Sequence, residues 1–325
     1  MGLRQPPKEE KTARVLVKIL VLVVLAAFAG TAIWNTTTAQ RIDLVEDVTI
    51  GSLGLDPVTF TVADGLNIRV VDLSAAPDPV ILLHDVDVAG SVVFDQLVPL
   101  VQGTLRPVTI DLPGFGLSQR MPSTGSHHTV SAMAGVVADV VDQRYGTPVI
   151  LVGVGLGGKV AAEVAVTRPD LVRGLVMVDV DFWDTDGWRV RSQKLPWIGR
   201  SMTFSYETTG RFATRTWAPL CGDGGWCPTA QQTVNRGVTA VIVGSTDSIN
   251  AYYNTPPSSF VPSDLDQIEV PTAYVWSLRG DVPRESVERV KASIPQAVIT
   301  DVDVWKAHLE APAAVMTAIQ AVAGD

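Results

Sequence analysis

Five strand-length runs in this chain are almost wholly apolar: "PVILLHD" (79–85), "RPVTIDLPG" (106–114), "TPVILVGV" (147–154), "VRGLVMVDV" (172–180) and "PTAYVWSL" (271–278). A strand with one wet face alternates apolar and polar residues, whereas a strand that is apolar throughout must be covered on both sides. Helix-period segments supply the cover: "VSAMAGVVADVVDQRYG", "KVAAEVAVTRP", "RESVERVKASIP" and "APAAVMTAIQAVAG". This alternation predicts an α/β protein with a doubly wound, mostly parallel sheet. Ahead of the first run, "TFTVADGLNIRVVDL" (59–73) predicts a hairpin about Asp64-Gly65, and "QAVITDVDV" (296–304) adds a last strand. The rhythm breaks over about residues 182–267, where "FWDTDGWRVRSQKLPWIGR" and "YYNTPPSSFVPSD" are rich in Trp and Pro. That stretch is read as a cap inserted over the C-terminal edge of the sheet.

A second apolar feature precedes the sheet. From Arg14 to Ala39 the only charges are Arg14 and Lys18, and the apolar run to Trp34 approaches the roughly 20 residues that cross a bilayer. Arg4, Lys8, Lys11, Arg14 and Lys18 outnumber Glu9 and Glu10 before it, which predicts a cytoplasmic N-terminus. The expected organisation is a cytoplasmic tail (1–14), a transmembrane signal-anchor (15–34), a linker (35–57) and one domain (58–325). The protein is then single-pass in the cell membrane, with its C-terminal domain extracytoplasmic. A cleaved signal peptide is the alternative, since Ala27-Phe28-Ala29 has the small residues of a cleavage site.

Five of the 25 Lys+Arg and two of the 34 Asp+Glu precede Asn35, so the remainder carries a net charge of −12. Such a surface repels phosphate backbones, and nucleic acid is excluded as a partner. The two cysteines, Cys221 and Cys227, flank the short "GDGGW" loop and predict a disulfide in an exported domain. One pair is too few for a structural zinc site, and the adjacent His127 and His128 have no ligand-bearing neighbours in sequence. The reading therefore includes no metal and no cofactor. Ser245, in "VIVGSTDS", follows a glycine but lacks the second glycine of a nucleophile turn, and is read as an ordinary turn residue.

The order of "VILLHD", "IDLPGFGLS", "VGVGLGG", a late acid and "HLEAP" resembles the alpha/beta-hydrolase fold, and within it the capped epoxide hydrolases, haloperoxidases and esterases. "DLPGFGLS" (111–118) is the most specific element, and the resemblance covers roughly residues 58–322. It implies a strand-to-helix elbow at "GVGLG" on which relatives mount a nucleophile. Here that position is Gly155, which has no side chain to attack with. It also implies a histidine base near "VWKAHLEAP", where the register puts Trp305 in the base's place and His308 at an accessory position. An indole cannot take up a proton near neutral pH. Slippage of the loop would let His308 serve as a fallback base.

Asp281 matches the acid that orients the base, and reads equally well as a solvated turn carboxylate. The oxyanion loop is implied at His84, Asp85 and Val86, with Val86 and Leu156 as N–H donors. Asp85 either points inward, opposing a nascent oxyanion, or faces water. The expectation is a degenerate triad at Gly155, Asp281 and Trp305. The protein is then a membrane-anchored pseudo-hydrolase that binds a small apolar or lipid-like ligand or an envelope protein partner. The alternative is an active esterase- or lipase-like hydrolase using a non-standard nucleophile or His308.

Overall fold

The computed structural model describes residues 8–49, 60–63, 65–121, 126–183, 188–208, 227–255 and 262–324. Eight strands form one sheet among the described residues: β1 (Phe60–Ala63), β2 (Leu66–Asp72), β3 (Pro79–Leu83), β4 (Arg106–Ile110), β5 (Val149–Val154), β6 (Val172–Val178), β7 (Thr272–Ser277) and β8 (Val298–Val302). Their order is β1-β2-β4-β3-β5-β6-β7-β8, antiparallel at β1/β2 and β2/β4 and parallel from β4 onward. The hairpin expected about Asp64-Gly65 is the β1/β2 pair, and Gly65 takes the positive φ (73°) that its turn requires. Asp64 lies outside the described residues.

The apolar runs are buried on both faces because the side chains of a strand alternate. Ile81 and Leu83 of β3 and Leu151 of β5 join one core with helices α3 (Val130–Arg144) and α4 (Leu156–Thr167). Val80 and Leu82, with Ile150, Val152 and Val154, join a second core on the opposite face. There they meet α2 (Val98–Gln102) and the C-terminal helix, whose Val315, Ile319 and Val322 are buried.

Between β6 and β7 the chain leaves the sheet and forms α5 (Trp188–Gln193), α6 (Gly199–Thr203), α7 (Ala230–Ala240) and α8 (Ser245–Asn254). This insertion is fastened to the loops that follow the C-terminal ends of β3 and β4. Arg236 of α7 pairs with Asp87 at 3.3 Å, both side chains being under a tenth exposed, and donates to the carbonyl of Glu207 at 2.9 Å. Arg120 donates to the carbonyls of Gly116 and Ser118 on the sheet side, and to the carbonyl of Thr239 and Ser245 Oγ on the insertion side. Burial lowers the Arg120 pKa to about 10. Cys221 lies outside the described residues, and its bridge to Cys227 stands as a proposal.

The apolar N-terminal segment lies in a single helix, α1 (Lys8–Val45), whose span Leu16–Val45 is long and apolar enough to cross a membrane. It continues through the first part of the expected linker, because Thr38, Ile42 and Glu46 recur at helical spacing and are buried. The Glu46 carboxylate accepts from the N–H groups of Gly244 (2.9 Å) and Thr246 (2.8 Å), satisfying the start of α8. Burial raises the Glu46 pKa.

After β7 come α9 (Arg284–Ser293), a short α10 (Ala307–Glu310) and α11 (Pro312–Ala323). The loop between β8 and α10 carries Trp305.

Candidate functional site

Strand β5 ends at Val154 and α4 begins at Leu156, leaving Gly155 alone to make the turn at φ 49° and ψ −112°. Few residues other than glycine take such a conformation without strain. The neighbours are small because the backbones touch: a Cβ on Gly157 would overlap the carbonyl of Leu83, and one on Gly153 would overlap the carbonyl of Gly157. The local geometry is that of a nucleophile elbow, with glycine at its apex.

Asp85 fills the space that an apex side chain would use. A Cβ built on Gly155 would overlap Oδ1 and Cγ of Asp85 and lie 2.6 Å from Oδ2. Oδ1 accepts the N–H of Leu156 at 2.8 Å. Of the two orientations open to Asp85 in the sequence, the inward one holds. An acyl oxyanion at this elbow would require the same N–H donor, which the carboxylate already occupies. Val86 is half-buried beside it.

His84 braces the loop that delivers Asp85. It is fully buried, its Nδ1 donates to the carbonyl of Asp85 at 2.6 Å, and its Nε2 accepts the N–H of Leu112 at 2.9 Å. Both ring nitrogens are committed to backbone partners. The "DLPGFGLS" loop closes around Asp111, which accepts from Ser91 N (2.7 Å) and Leu117 N (2.8 Å) and pairs with Arg69 (3.4 Å). Burial alone would raise the Asp111 pKa, but the Arg69 charge and these hydrogen bonds outweigh it, leaving the value lowered.

At the far side of the sheet edge, Asp281 is exposed in the turn after β7. The half-buried, hydrogen-bonded carboxylate there belongs to Asp179, which follows β6. It accepts from Ser277 N and Ser277 Oγ, both at 2.7 Å, and Ser277 Oγ in turn accepts the N–H of Ala307 at 2.8 Å. Burial raises its pKa against the opposing Ser277 bonds. Among the described residues Asp179 is the only non-glycine with positive φ, at 51°. Sequence reasoning missed it, although a carboxylate closing an otherwise apolar strand, "VMVD", was a visible signal.

Trp305 is 44% exposed, and its backbone N–H, like that of Lys306, donates to Glu310 Oε1. His308 is buried on α10 with its ring 6.5 Å from that of Phe94, and Nδ1 has no hydrogen-bond partner. Burial, then the Lys306 charge, lower its pKa to about 3 against the opposing charge of Asp85. It is a neutral imidazole near pH 7 and a weak base. Thus the fold brings Gly155, Leu156 and Asp85 together, sets His308 within reach of the Asp85 charge, and leaves Asp281 and Trp305 in solvent-facing loops.

Ser245 is the first residue of α8, buried, donating to Thr239 O and accepting from Arg120. His127 and His128 lie in a single 3-10 turn before α3, His128 buried.

The chain matches the alpha/beta hydrolase family over residues 80–318. It is 33% identical to haloalkane dehalogenase 2 of Mycobacterium tuberculosis over 119 residues, which are 37% of this chain and 40% of that protein. It is 28% identical over 121 residues to a putative non-heme haloperoxidase of Mycobacterium phage D29, covering 37% and 42%. The chain thus spans about two fifths of the length of these relatives. Among solved structures it resembles a hydrolase from Pseudomonas aeruginosa (TM-score 0.64, 19% identity, 82% of this chain and 98% of that one). It also resembles a thermophilic esterase from Thermogutta terrifontis (TM-score 0.60, 22% identity, covering 81% and 95%). At such identities the structural likeness speaks for the fold alone. With the family match spanning most of the chain, and the sheet order and elbow agreeing with it, the protein belongs to the alpha/beta hydrolase family.

Proposed function

We propose that this chain is a membrane-anchored, exported alpha/beta-hydrolase-fold protein that does not carry out triad hydrolysis and instead binds a ligand or partner in the cell envelope. One observation carries the reading: the Asp85 carboxylate sits in the side-chain space of the elbow apex and holds the Leu156 N–H. A nucleophile is missing, its place is filled by a negative charge, and the donor for an oxyanion is engaged. Triad groups act as a unit, so loss of one removes nearly all of the rate enhancement they share. A small apolar or lipid-like ligand is the favoured class, on the resemblance to capped relatives. The N-terminal helix supports the anchor reading by length and composition.

The experiment is turnover of short-chain nitrophenyl esters by the purified full chain, run beside fluorophosphonate labelling. The expected result is background hydrolysis and no label. Ester turnover well above background that is abolished by His308→Ala would overturn the reading.

One observation favours the alternative of an active esterase- or lipase-like hydrolase with a non-standard nucleophile: a carboxylate does stand at the elbow. Two facts weigh against it. That carboxylate is tied to the N–H that should stabilise an intermediate, and His308 is too weak a base to be of use near neutral pH. Asp85→Ala separates the readings, since it abolishes any turnover that depends on the carboxylate.

A further inference from the structure

The turn between α5 and α6 presents an unusual surface for a chain whose residues from Asn35 onward carry a net charge of −12. Leu195 is 48% and Trp197 72% exposed, beside the exposed Arg191 and Lys194. Residues 188–200 contain four basic residues and no acidic one. This turn lies against α1. The Trp197 ring is 6.1 Å from the Phe28 ring, the Asn35 side chain donates to the Trp197 carbonyl, and Ser201 Oγ donates to Asn35 Oδ1 at 2.8 Å. Contact with α1 begins at this level: residues 16–30 are exposed, while Thr31, Asn35, Thr38 and Ile42 form a covered stripe.

Phe28 lies six residues before Trp34, the end of the apolar run, which is about 9 Å along a helix. If α1 spans a bilayer, the Trp197 backbone stands level with the interface at Asn35 while its ring reaches down among the acyl chains. An amphipathic aromatic suits that boundary, and exposed Lys and Arg suit anionic headgroups. We propose that the α5–α6 turn is a membrane-contact element: Leu195 and Trp197 enter the outer edge of the hydrocarbon and Arg191 and Lys194 meet anionic headgroups, seating the domain with its insertion toward the bilayer. The proposal rests on the reading of α1 as an uncleaved anchor. It goes beyond that reading by fixing which face of the domain the lipid touches.

The test uses the full chain reconstituted in vesicles of phosphatidylcholine and phosphatidylglycerol that contain acyl-chain-brominated lipid, which quenches tryptophan at short range. Wild type should lose a larger fraction of its emission than Trp197→Phe, with the same thermal melt for both. The difference should shrink in phosphatidylcholine alone and in the Arg191→Gln/Lys194→Gln variant. Equal fractional quenching of wild type and Trp197→Phe, in protein that floats with the vesicles and resists high-salt extraction, overturns the proposal and leaves the anchor standing. Protein that does not float overturns the anchor and the proposal together. A difference indifferent to phosphatidylglycerol overturns the headgroup contact.

Discussion

At the level of single residues, the elbow is governed by one pair. Gly155→Ser introduces a Cβ at positive φ, worth about 1–2 kcal/mol of strain, and overlaps Asp85, where overpacking costs about 1–3 kcal/mol. We expect a loss of about 3 kcal/mol in urea unfolding. Adding Asp85→Ala should recover the overlap part, so the double mutant falls short of the additive sum by at least about 1 kcal/mol. Strict additivity would mean that Asp85 does not hold this space. The two carboxylates near β7 should separate as sharply. Asp179→Ala strands the buried N–H of Ser277 and is expected to cost about 2 kcal/mol, whereas Asp281→Ala, at an exposed turn, should stay within about 0.5 kcal/mol. Equal effects would remove the structural role given to Asp179. His308 contributes to pH dependence with a definite sign. Its folded pKa of about 3 lies below the ordinary 6.5, so it contributes stability that is complete above about 6.5 and is lost as pH falls toward 3. Urea midpoints measured across that window should show a shallower slope, by one proton's share, in His308→Leu.

Between elements, buried charge joins the insertion to the sheet. Arg236 and Asp87 are both under a tenth exposed, and removing one partner of such a pair leaves an uncompensated charge, typically costing about 3–5 kcal/mol. Arg236→Met should therefore loosen α7 from the loop after β3, read as faster limited proteolysis within residues 182–267 while the sheet's amides keep their hydrogen-exchange protection. Loss of protection throughout the sheet would mean that the insertion and the sheet fold as one unit. The same logic makes Glu46 more than a linker residue. It supplies to the start of α8 the acceptor that Gly244 has no side chain to provide. The proposed Cys221–Cys227 bridge closes a short loop, whose contribution in the chain-entropy model is about 2 kcal/mol. Mass spectrometry of unreduced protein that finds two free thiols removes it.

For the whole molecule, the proposed topology sets α1 in the membrane and the domain outside. A reporter active only outside the cytoplasm, fused after Asp325, should be active while the chain stays in the membrane fraction after high-salt washing. A shortened soluble product would instead point to signal-peptide cleavage. The helix α1 and Glu46 just after it are tied to the insertion through Asn35, which accepts from Ser201, and Glu46, which accepts from the N–H groups of Gly244 and Thr246.

Much of this architecture was legible in the chain itself. Strands buried on both faces are apolar at most positions, so β3 to β7 could be read from "PVILL" to "TAYVWS" without knowledge of their neighbours. The missing apex side chain was equally plain, because Gly155 is glycine in any fold. What no local pattern could supply was the direction of a side chain across distances of seventy residues or more. Asp85 reads the same whether it faces water or the elbow, and only the path of the β3 loop, braced by His84 on Leu112, turns it onto Leu156. Asp179 and Asp281 are both carboxylates near strand ends, and burial, a property of the packed sheet edge, separates them. The insertion was visible only as a break in rhythm. Its charged fastenings join residues more than a hundred positions apart, and such pairs leave no periodic trace in sequence. Apolar periodicity records what the backbone must bury, while the partner of a buried charge is decided only when the tertiary fold brings the two together.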